Sequence, residues 1–509
     1  MGLSDPAGST TLARLSAARG EYESFQIVVQ APANTGLSHV NVAVTDLTSA
    51  GGHVISKNNV ALFREHYVHV TQSSPDWGGS NRPLGAGWYA DGLVPLVDPD
   101  TGSAPSGGSL RAASFNVQAG KNQPMWVDVF VPRTAAASQY SGSFLITSDQ
   151  GTAAGKVALQ VWNFTLPLRP ALKSAFVTTQ PHSARVARTL LRNKVSPLEV
   201  TPEEARDLMD NFGLSTSNLG FWSGADVSHC TMAPAPAVKQ IRSAAAKYPA
   251  GLQLFDFVAD EIGKCKPLYP EIRRWALALH QAGVRSLITM APVPELFDDG
   301  SGARRSAVDI WVVLPEMYDK AGDAIAHALA KGDEIWSYNT LVQDPYSPKW
   351  EIDFAPLNFR IQPGFISQSL KLTGLLCWRV DMWPSEAWTN VNNPGKFSSN
   401  NYPGEGMLLY PGQAAGITAA APSMRLKWIR DGVEDYEYVE LLKQAGDGDW
   451  AIEIVRRVGR DWSHWTRDPE MLAAARQQLG QKLDALSPDA DPPSRSRRKP
   501  VQPKRKAIQ

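Results

Sequence analysis

The first third of the chain alternates between hydrophobic and polar residues over short stretches. Segments such as EYESFQIVVQAP, QPMWVDVFVP and SGSFLITSD alternate or run apolar, and clusters of Gly, Pro, Asn and Asp separate them, as in DPDTGSAPSGGS. No long helical period interrupts these segments. Short strands spaced by turn residues are typical of a β-sandwich. The pattern therefore predicts an antiparallel β-sandwich domain over residues 1–168, which ends within the proline-rich stretch TLPLRPAL.

From residue 169 the pattern changes to short apolar strands separated by segments with a helical period. The helical segments include TPEEARDLMDNF and YPEIRRWALALHQAG. The candidate strands lie at residues 174–179, 194–200, 214–220, 252–261, 285–290, 308–314, 334–340 and 374–381. This alternation predicts a (β/α)8 barrel of the TIM type over residues 169–486, with extra C-terminal helices. Pro197 weakens the second strand, and a doubly wound open sheet is the alternative, although no GxGxxG motif follows any strand.

The balance of charge excludes some classes of partner. The chain has 50 basic and 50 acidic residues, so its formal net charge gives no general attraction to nucleic acid or to anionic membranes. No run of roughly 18 apolar residues predicts a transmembrane helix. Residues 487–509 are rich in Pro and basic residues, and we expect a disordered basic tail there. The sequence does not indicate an oligomeric state.

The three cysteines bear on the compartment and on metal binding. Cys377 lies in the apolar segment TGLLCWRV and is expected to be an inert core residue. No CxxC or HxxxH pattern is present, so neither a metal nor another cofactor is expected. Cys230 and Cys265 lie in neighbouring loops and could form a disulfide, with two free thiols as the alternative. A disulfide would indicate an extracytoplasmic location, with the cytoplasm as the alternative, because the first residues lack the apolar region of a signal peptide.

Two adjacent carboxylates, Asp260 and Glu261, end the fourth candidate strand in the segment FDFVADEIGKCKP. Side chains next to each other on a strand point to opposite faces, so this pair shares one surface only if the strand ends there. In a TIM barrel the chemistry takes place at the carboxyl ends of the strands. A structural role is the alternative, in which Asp260 caps the next turn and Glu261 pairs with Lys264 or Lys266.

Aromatic and acidic residues also follow the last three candidate strands. Aromatic rings can stack on sugar faces and carboxylates can transfer protons, so a glycan is the expected substrate. The candidate substrate-binding residues are Trp336, Tyr338, Trp378, Tyr318, Trp383 and Asp381. The chain has no glycine-rich phosphate loop and no GxSxG motif, which argues against phosphoryl transfer and against a serine hydrolase.

Several segments resemble glycoside hydrolase family 123, the β-N-acetylgalactosaminidases, and the related group called domain of unknown function 4091. The segments are GLLCWRVDMWPSEAWTN, YPGEGMLLYPG, PSMRLKWIRDGVEDYEYVELL, VDIWVVLPEMYD and ARGEYESFQIVV. The resemblance implies that Asp260 and Glu261 are the catalytic pair. Glu261 would protonate the leaving oxygen, and Asp260 would orient the 2-acetamido group of the sugar, whose carbonyl oxygen acts as the nucleophile.

The resemblance thus implies a retaining exo-β-N-acetylhexosaminidase, with β-linked N-acetylgalactosamine as the expected sugar. Two other hypotheses remain open at this point. One is a glycosidase for a sugar without an acetamido group, in which Glu261 works with a distant carboxylate such as Asp381 or Glu316. The other is a glycan-binding protein without catalysis.

Overall fold

The computed structural model describes residues 2–487 except residues 7, 9 and 180–183. The predicted basic tail, apart from Ser487, lies outside the described residues. None of the helices in this part of the chain is long and apolar enough to cross a membrane.

The N-terminal part of the chain forms two facing β-sheets. One sheet has the order β1-β11-β10-β3-β8 with β4 and β5 beside β10, and the other has the order β2-β9-β6-β7. The strands are β1 Leu12–Arg19, β2 Tyr22–Gln30, β3 Leu37–Val44, β4 Leu47–Ser49, β5 Val54–Ile55, β6 Val60–Val70, β7 Gly87–Pro95, β8 Phe115–Val117, β9 Asn122–Phe130, β10 Ser138–Ser148 and β11 Gly151–Thr165.

The two sheets share one hydrophobic core. Alternate residues of most strands enter it, for example Val157, Leu159 and Val161 from β11, opposite Ile27 and Val127 of the other sheet. A purely antiparallel sandwich was predicted. This is wrong for one pair of strands, because β1 pairs with β11 in the parallel sense. The chain crosses to the other sheet after β1, so the neighbour of β1 is a strand that is distant in sequence.

The second part of the chain is built on a seven-stranded parallel sheet. Its order is β12-β18-β17-β16-β15-β14-β13, so the last strand in sequence lies beside the first. The strands are β12 Lys173–Phe176, β13 Thr216–Asn218, β14 Gln253–Asp260, β15 Arg285–Thr289, β16 Ile310–Val313, β17 Glu334–Tyr338 and β18 Gly374–Cys377. Large side chains fill the interior, including Phe255, Leu287, Val312, Trp336 and Leu376 from five different strands. The sheet is therefore curved and nearly closed, like a barrel.

The helices surround this sheet and follow it. They are α1 Ala184–Arg192, α2 Pro202–Phe212, α3 Val238–Ala245, α4 Tyr269–Gln281, α5 Pro315–Lys320, α6 Gly322–Lys331, α7 Leu357–Ile361, α8 Ser367–Ser369, α9 Met424–Gln444, α10 Gly448–Val458 and α11 Pro469–Leu486. A short hairpin of β19 Leu409–Tyr410 and β20 Ala421–Pro422 precedes α9.

The prediction of eight complete β/α units is wrong in two places. Residues 194–200 do not form a strand but make one parallel bridge, between Phe176 and Pro197. Proline has no N–H to donate, so the ladder cannot continue there. Backbone bonds from Leu198 N to Phe176 O (2.9 Å) and from Asn218 N to Leu198 O (2.8 Å) still span the gap. Between β15 and β16, the described chain has a 3-10 turn at Pro294–Leu296 in place of an α-helix.

Helix α9 joins the two parts of the molecule. Arg425 forms an ion pair with Asp91 (2.9 Å) and Arg430 forms one with Asp128 (2.9 Å). Both arginines are almost fully buried. The IRDGVEDYEY segment that contributes to the family resemblance therefore clamps the barrel-like part to the sandwich.

Candidate active site

The end of β14 departs from regular strand geometry. Its pairing with β15 shifts between Phe257 and Ala259, which marks a β-bulge. Val258 and Ala259 consequently both pack in the core that contains α4. Bulges re-aim the side chains that follow them. The next residue, Asp260, lines a cavity at the carboxyl ends of the strands.

Glu261 shares this cavity because its backbone leaves the strand. Its φ and ψ angles are 49° and 34°, in the left-handed region. Its N–H donates to the Thr289 carbonyl oxygen (3.0 Å) and to Thr289 Oγ1 (2.8 Å), which hold the turn in place. A left-handed conformation costs an ordinary residue about 1–2 kcal/mol. Strain of this kind concentrates at functional sites, and here it brings two adjacent carboxylates to one surface.

The cavity has a volume of about 650 Å³ and a mixed polar and aromatic lining. This size falls in the range of small-molecule sites. Of the predicted site residues, the cavity brings together Asp260, Glu261, Tyr338 and Trp378. It also includes residues that were not predicted, namely Glu199, Asn218, Trp222, Phe257, Thr289, Thr340 and Phe397.

Hydrogen bonds orient both carboxylates. Thr289 Oγ1 donates to Asp260 Oδ1, and the Tyr338 hydroxyl donates to Glu261 Oε1 at 2.7 Å. Burial raises the pKa of Tyr338 far above its usual range, and the bond to Glu261 and the two negative charges add to this. Tyr338 therefore stays protonated and donates to Glu261 Oε1. Desolvation raises the pKa of Asp260, the Thr289 hydrogen bond opposes this, and the charge of Glu261 adds to it.

Trp378 forms one wall of the cavity. Its Nε1 donates to Glu405 Oε1, and Glu405 also accepts from Leu341 N (3.1 Å). Phe397 packs edge-on against the indole, with ring centroids 5.8 Å apart at 88°. The wall is thus held by a buried carboxylate and by a second ring.

Trp336 does not line the cavity, contrary to the prediction. It lies on the same face of β17 as Tyr338, but two residues earlier, which is about 6–7 Å deeper along the strand. The ring is fully buried, and its Nε1 donates to Glu334 Oε2 (2.9 Å). Gly374 leaves the necessary space, because a Cβ there would lie 2.4 Å from the Trp336 ring.

Tyr318 and Trp383 are also placed elsewhere. Tyr318 lies on α5, outside the sheet, where its ring packs against Trp462 and its hydroxyl donates to Leu370 O (3.2 Å). Trp383 Nε1 donates to Leu409 O (2.7 Å), so this ring packs against the β19–β20 hairpin. Both predictions assumed that a residue soon after a strand lies at the carboxyl end of that strand. The segments after β16 and β18 instead lead away from the cavity.

Neither candidate for a distant carboxylate lies in the cavity. Asp381 is buried and accepts from Thr179 N (2.8 Å) and Thr179 Oγ1 (2.8 Å), which gives it a structural role. Glu316 pairs with Lys320 on α5 at 2.5 Å. Besides Asp260 and Glu261, the cavity is lined by the carboxylate of Glu199, which accepts a hydrogen bond from Asn218 Nδ2 (3.3 Å). Its position at the end of the second candidate strand was the available sequence signal.

Cys230 and Cys265 form a disulfide, with their Cα atoms 5.3 Å apart. The bond links the loop that follows β13 to the loop that begins at Glu261. Cys377 is free and buried.

A barrel-like parallel sheet that presents paired carboxylates and aromatic walls at its carboxyl edge is the arrangement of a glycoside hydrolase. Residues 5–148 match the glycoside hydrolase 123 N-terminal domain, and residues 297–442 match the glycoside hydrolase 123 catalytic domain. The chain belongs to glycoside hydrolase family 123 and is a glycoside hydrolase, as the sequence predicted. This excludes a glycan-binding protein without catalysis. Asp260 and Glu261 lie between the two matched ranges, so the matches identify the family and do not bear on the roles of these two residues.

A solved structure of a family 123 enzyme has a similar fold. A family 123 glycoside hydrolase from Clostridium perfringens covers 94% of this chain and 94% of its own, with a TM-score of 0.64 and 12% identity. A Parabacteroides merdae β-glucuronidase covers 79% and 52%, with a TM-score of 0.27 and 8% identity. A termite-gut GH10 xylanase with an Ig-like domain covers 84% and 100%, with a TM-score of 0.28 and 10% identity. The last two are too dissimilar to support an argument. No curated protein sequence matches the chain.

Proposed function

We propose that this glycoside hydrolase is a retaining exo-β-N-acetylhexosaminidase that removes terminal β-linked N-acetylgalactosamine. The observation that carries the proposal is the convergence of Asp260 and Glu261 on one cavity through the left-handed backbone of Glu261. Neighbouring carboxylates suit a reaction in which the substrate supplies its own nucleophile. The two-carboxylate scheme instead needs groups on either side of the sugar, about 5 Å or more apart.

In the proposed reaction, Glu261 gives its proton to the glycosidic oxygen while the acetamido carbonyl oxygen attacks the anomeric carbon. The bond to the leaving group breaks, and a cyclic oxazolinium ion forms. Asp260 accepts a hydrogen bond from the acetamido N–H and stabilises the positive charge of the oxazolinium ion. Glu261 then takes a proton from a water molecule as this water attacks the anomeric carbon. The attack opens the oxazolinium ring, and the two successive displacements retain the anomeric configuration.

The substrate class has two further supports. The Clostridium perfringens relative is described as hydrolysing the glycans of glycolipids. This supports terminal sugars of glycans as the substrates of this chain. The Cys230–Cys265 disulfide supports an oxidising, extracytoplasmic site of action, where such glycans are accessible.

Glu199 favours a second candidate function. It lines the cavity together with Glu261 and comes from a segment on the other side of β13. It could act as the second carboxylate in the hydrolysis of a sugar that has no acetamido group. The two candidates then differ in which substitution abolishes turnover, Asp260→Asn or Glu199→Gln.

A panel of nitrophenyl β-glycosides separates the two candidates. The proposed function predicts turnover of the acetamido sugars only, retention of configuration by NMR of the first-formed anomer, and strong inhibition by a thiazoline that mimics the oxazolinium ion. Hydrolysis of plain hexosides without inhibition by the thiazoline would replace it with the second candidate. An inverted product would contradict the proposed mechanism, because participation of the acetamido group requires retention.

A further inference from the structure

Trp222 is an exposed aromatic residue at the catalytic cavity. It is 52% exposed, whereas most of the large apolar side chains of the second domain are buried. Phe257, which also lines the cavity, meets it at 80° with ring centroids 5.7 Å apart. Exposing this much indole surface is unfavourable in water, so a ligand that covers it would gain free energy.

The backbone around Trp222 is fixed to the strand that carries the catalytic pair. Phe221 N donates to Asp256 Oδ1 (2.9 Å), and Ser223 N donates to Val258 O (3.4 Å). Trp222 is thus held on both sides against β14, just before Asp260.

The rest of its loop is also braced. The Cys230–Cys265 disulfide ties it to the loop that begins at Glu261. Trp275 Nε1 of α4 donates to Ala233 O (2.9 Å), and Ala233 N donates to Ser223 O (2.8 Å). A ring on a rigid backbone requires less ordering when it binds a ligand than a ring on a flexible loop, which improves affinity.

We propose that Trp222 is the stacking platform for the leaving-group sugar of the substrate. This inference rests on the proposed function only in that the substrate is a glycan with a sugar as its leaving group. Trp378 is half-buried and bonded to Glu405, which suits the wall of the terminal-sugar subsite. Trp222 is the more exposed ring and lies where the remainder of a glycan would leave the cavity. The substrates of the enzyme are therefore glycans whose penultimate sugar can stack a face of C–H groups on the Trp222 indole.

The test compares a disaccharide with the methyl glycoside of the same terminal sugar. The ratio of their kcat/KM values measures what the second sugar contributes. Trp222→Ala should lower this ratio on the order of tenfold, mainly through KM, because the platform binds the ground state and the transition state alike. Trp222→Phe should keep most of the ratio. Trp88→Ala is the matched control, since Trp88 is 50% exposed and lies on β7 of the sandwich.

An unchanged ratio in Trp222→Ala, or an equal loss for both substrates, would overturn the inference. The terminal sugar is chosen from the nitrophenyl panel. If the wild-type enzyme cleaves only plain hexosides, the proposed function fails, and the same ratio on plain hexosides still tests Trp222.

Discussion

At the scale of single residues, the conformation of Glu261 determines which groups meet in the cavity. The side chains of an adjacent pair on a regular strand would diverge. The left-handed turn at Glu261 and its two bonds to Thr289 place both carboxylates on one surface. The Tyr338 hydroxyl then donates to Glu261.

Glu261→Gln should remove most activity towards substrates with poor leaving groups, because general-acid catalysis is worth roughly 10²–10⁴-fold. Substrates whose leaving group needs no proton should lose much less. The measurement is kcat/KM for an alkyl and a dinitrophenyl glycoside of the same sugar. Glu316→Gln, on the surface of α5, is the control, and an equal loss on both substrates would show that Glu261 is not the acid.

Thr289→Val should move the acid limb of the pH profile to higher pH. The proposed mechanism needs Asp260 ionised, and desolvation already raises its pKa above the usual 3.8. The Thr289 hydrogen bond lowers that pKa, so removing the hydroxyl lets it rise further and Asp260 protonates earlier as the pH falls. The profile of kcat/KM against pH measures the shift. Exposed Thr389→Val should leave the limb in place, and a limb that does not move in Thr289→Val would argue against Asp260 as its origin.

At the scale of elements, the loops after β13 and β14 act as one unit because the Cys230–Cys265 disulfide joins them. Replacing both cysteines by Ser should lower the free energy of unfolding by about 2–4 kcal/mol. It should also reduce activity, since the second loop begins at Glu261. Thermal unfolding with and without reductant measures the effect. The wild type should respond to reductant and the double variant should not, and equal responses would contradict the assignment.

At the scale of the whole molecule, buried ion pairs hold α9 between the sandwich and the barrel-like sheet. Burial alone would raise the pKa of Asp128, but Arg430 and Lys427 outweigh it and hold this pKa well below its usual range. Asp128 is therefore ionised at neutral pH and depends on its partners.

We propose that the boundary between the two domains lies between residues 168 and 169, in the segment that connects β11 to β12.

Arg430→Met should destabilise the protein by about 3–5 kcal/mol, because it leaves Asp128 buried with one fewer cation. Adding Asp128→Asn should recover part of this loss. Denaturant unfolding measures both, and Arg457→Met, which removes an exposed pair with Glu453, is the control with an expected change near zero. A loss in Arg430→Met no larger than in the control would contradict the clamp.

The sequence by itself determined the features that depend on near neighbours in the chain. Alternating residues predicted the sandwich and most of the parallel strands, and strand-end placement singled out Asp260 and Glu261. The same reasoning predicted Tyr338 and Trp378, which line the cavity with them. Family membership also followed from short motifs and is confirmed by the family matches.

Only the tertiary structure decided which of these groups share a cavity. Trp336 and Tyr338 have the same strand periodicity, yet depth within the curved sheet separates a buried core ring from a hydroxyl that lines the cavity. Glu199 and Trp222 enter the cavity because the segments around β13 close against β14. Such placements depend on sheet order and curvature, which arise from contacts between residues far apart in the sequence and leave no local pattern.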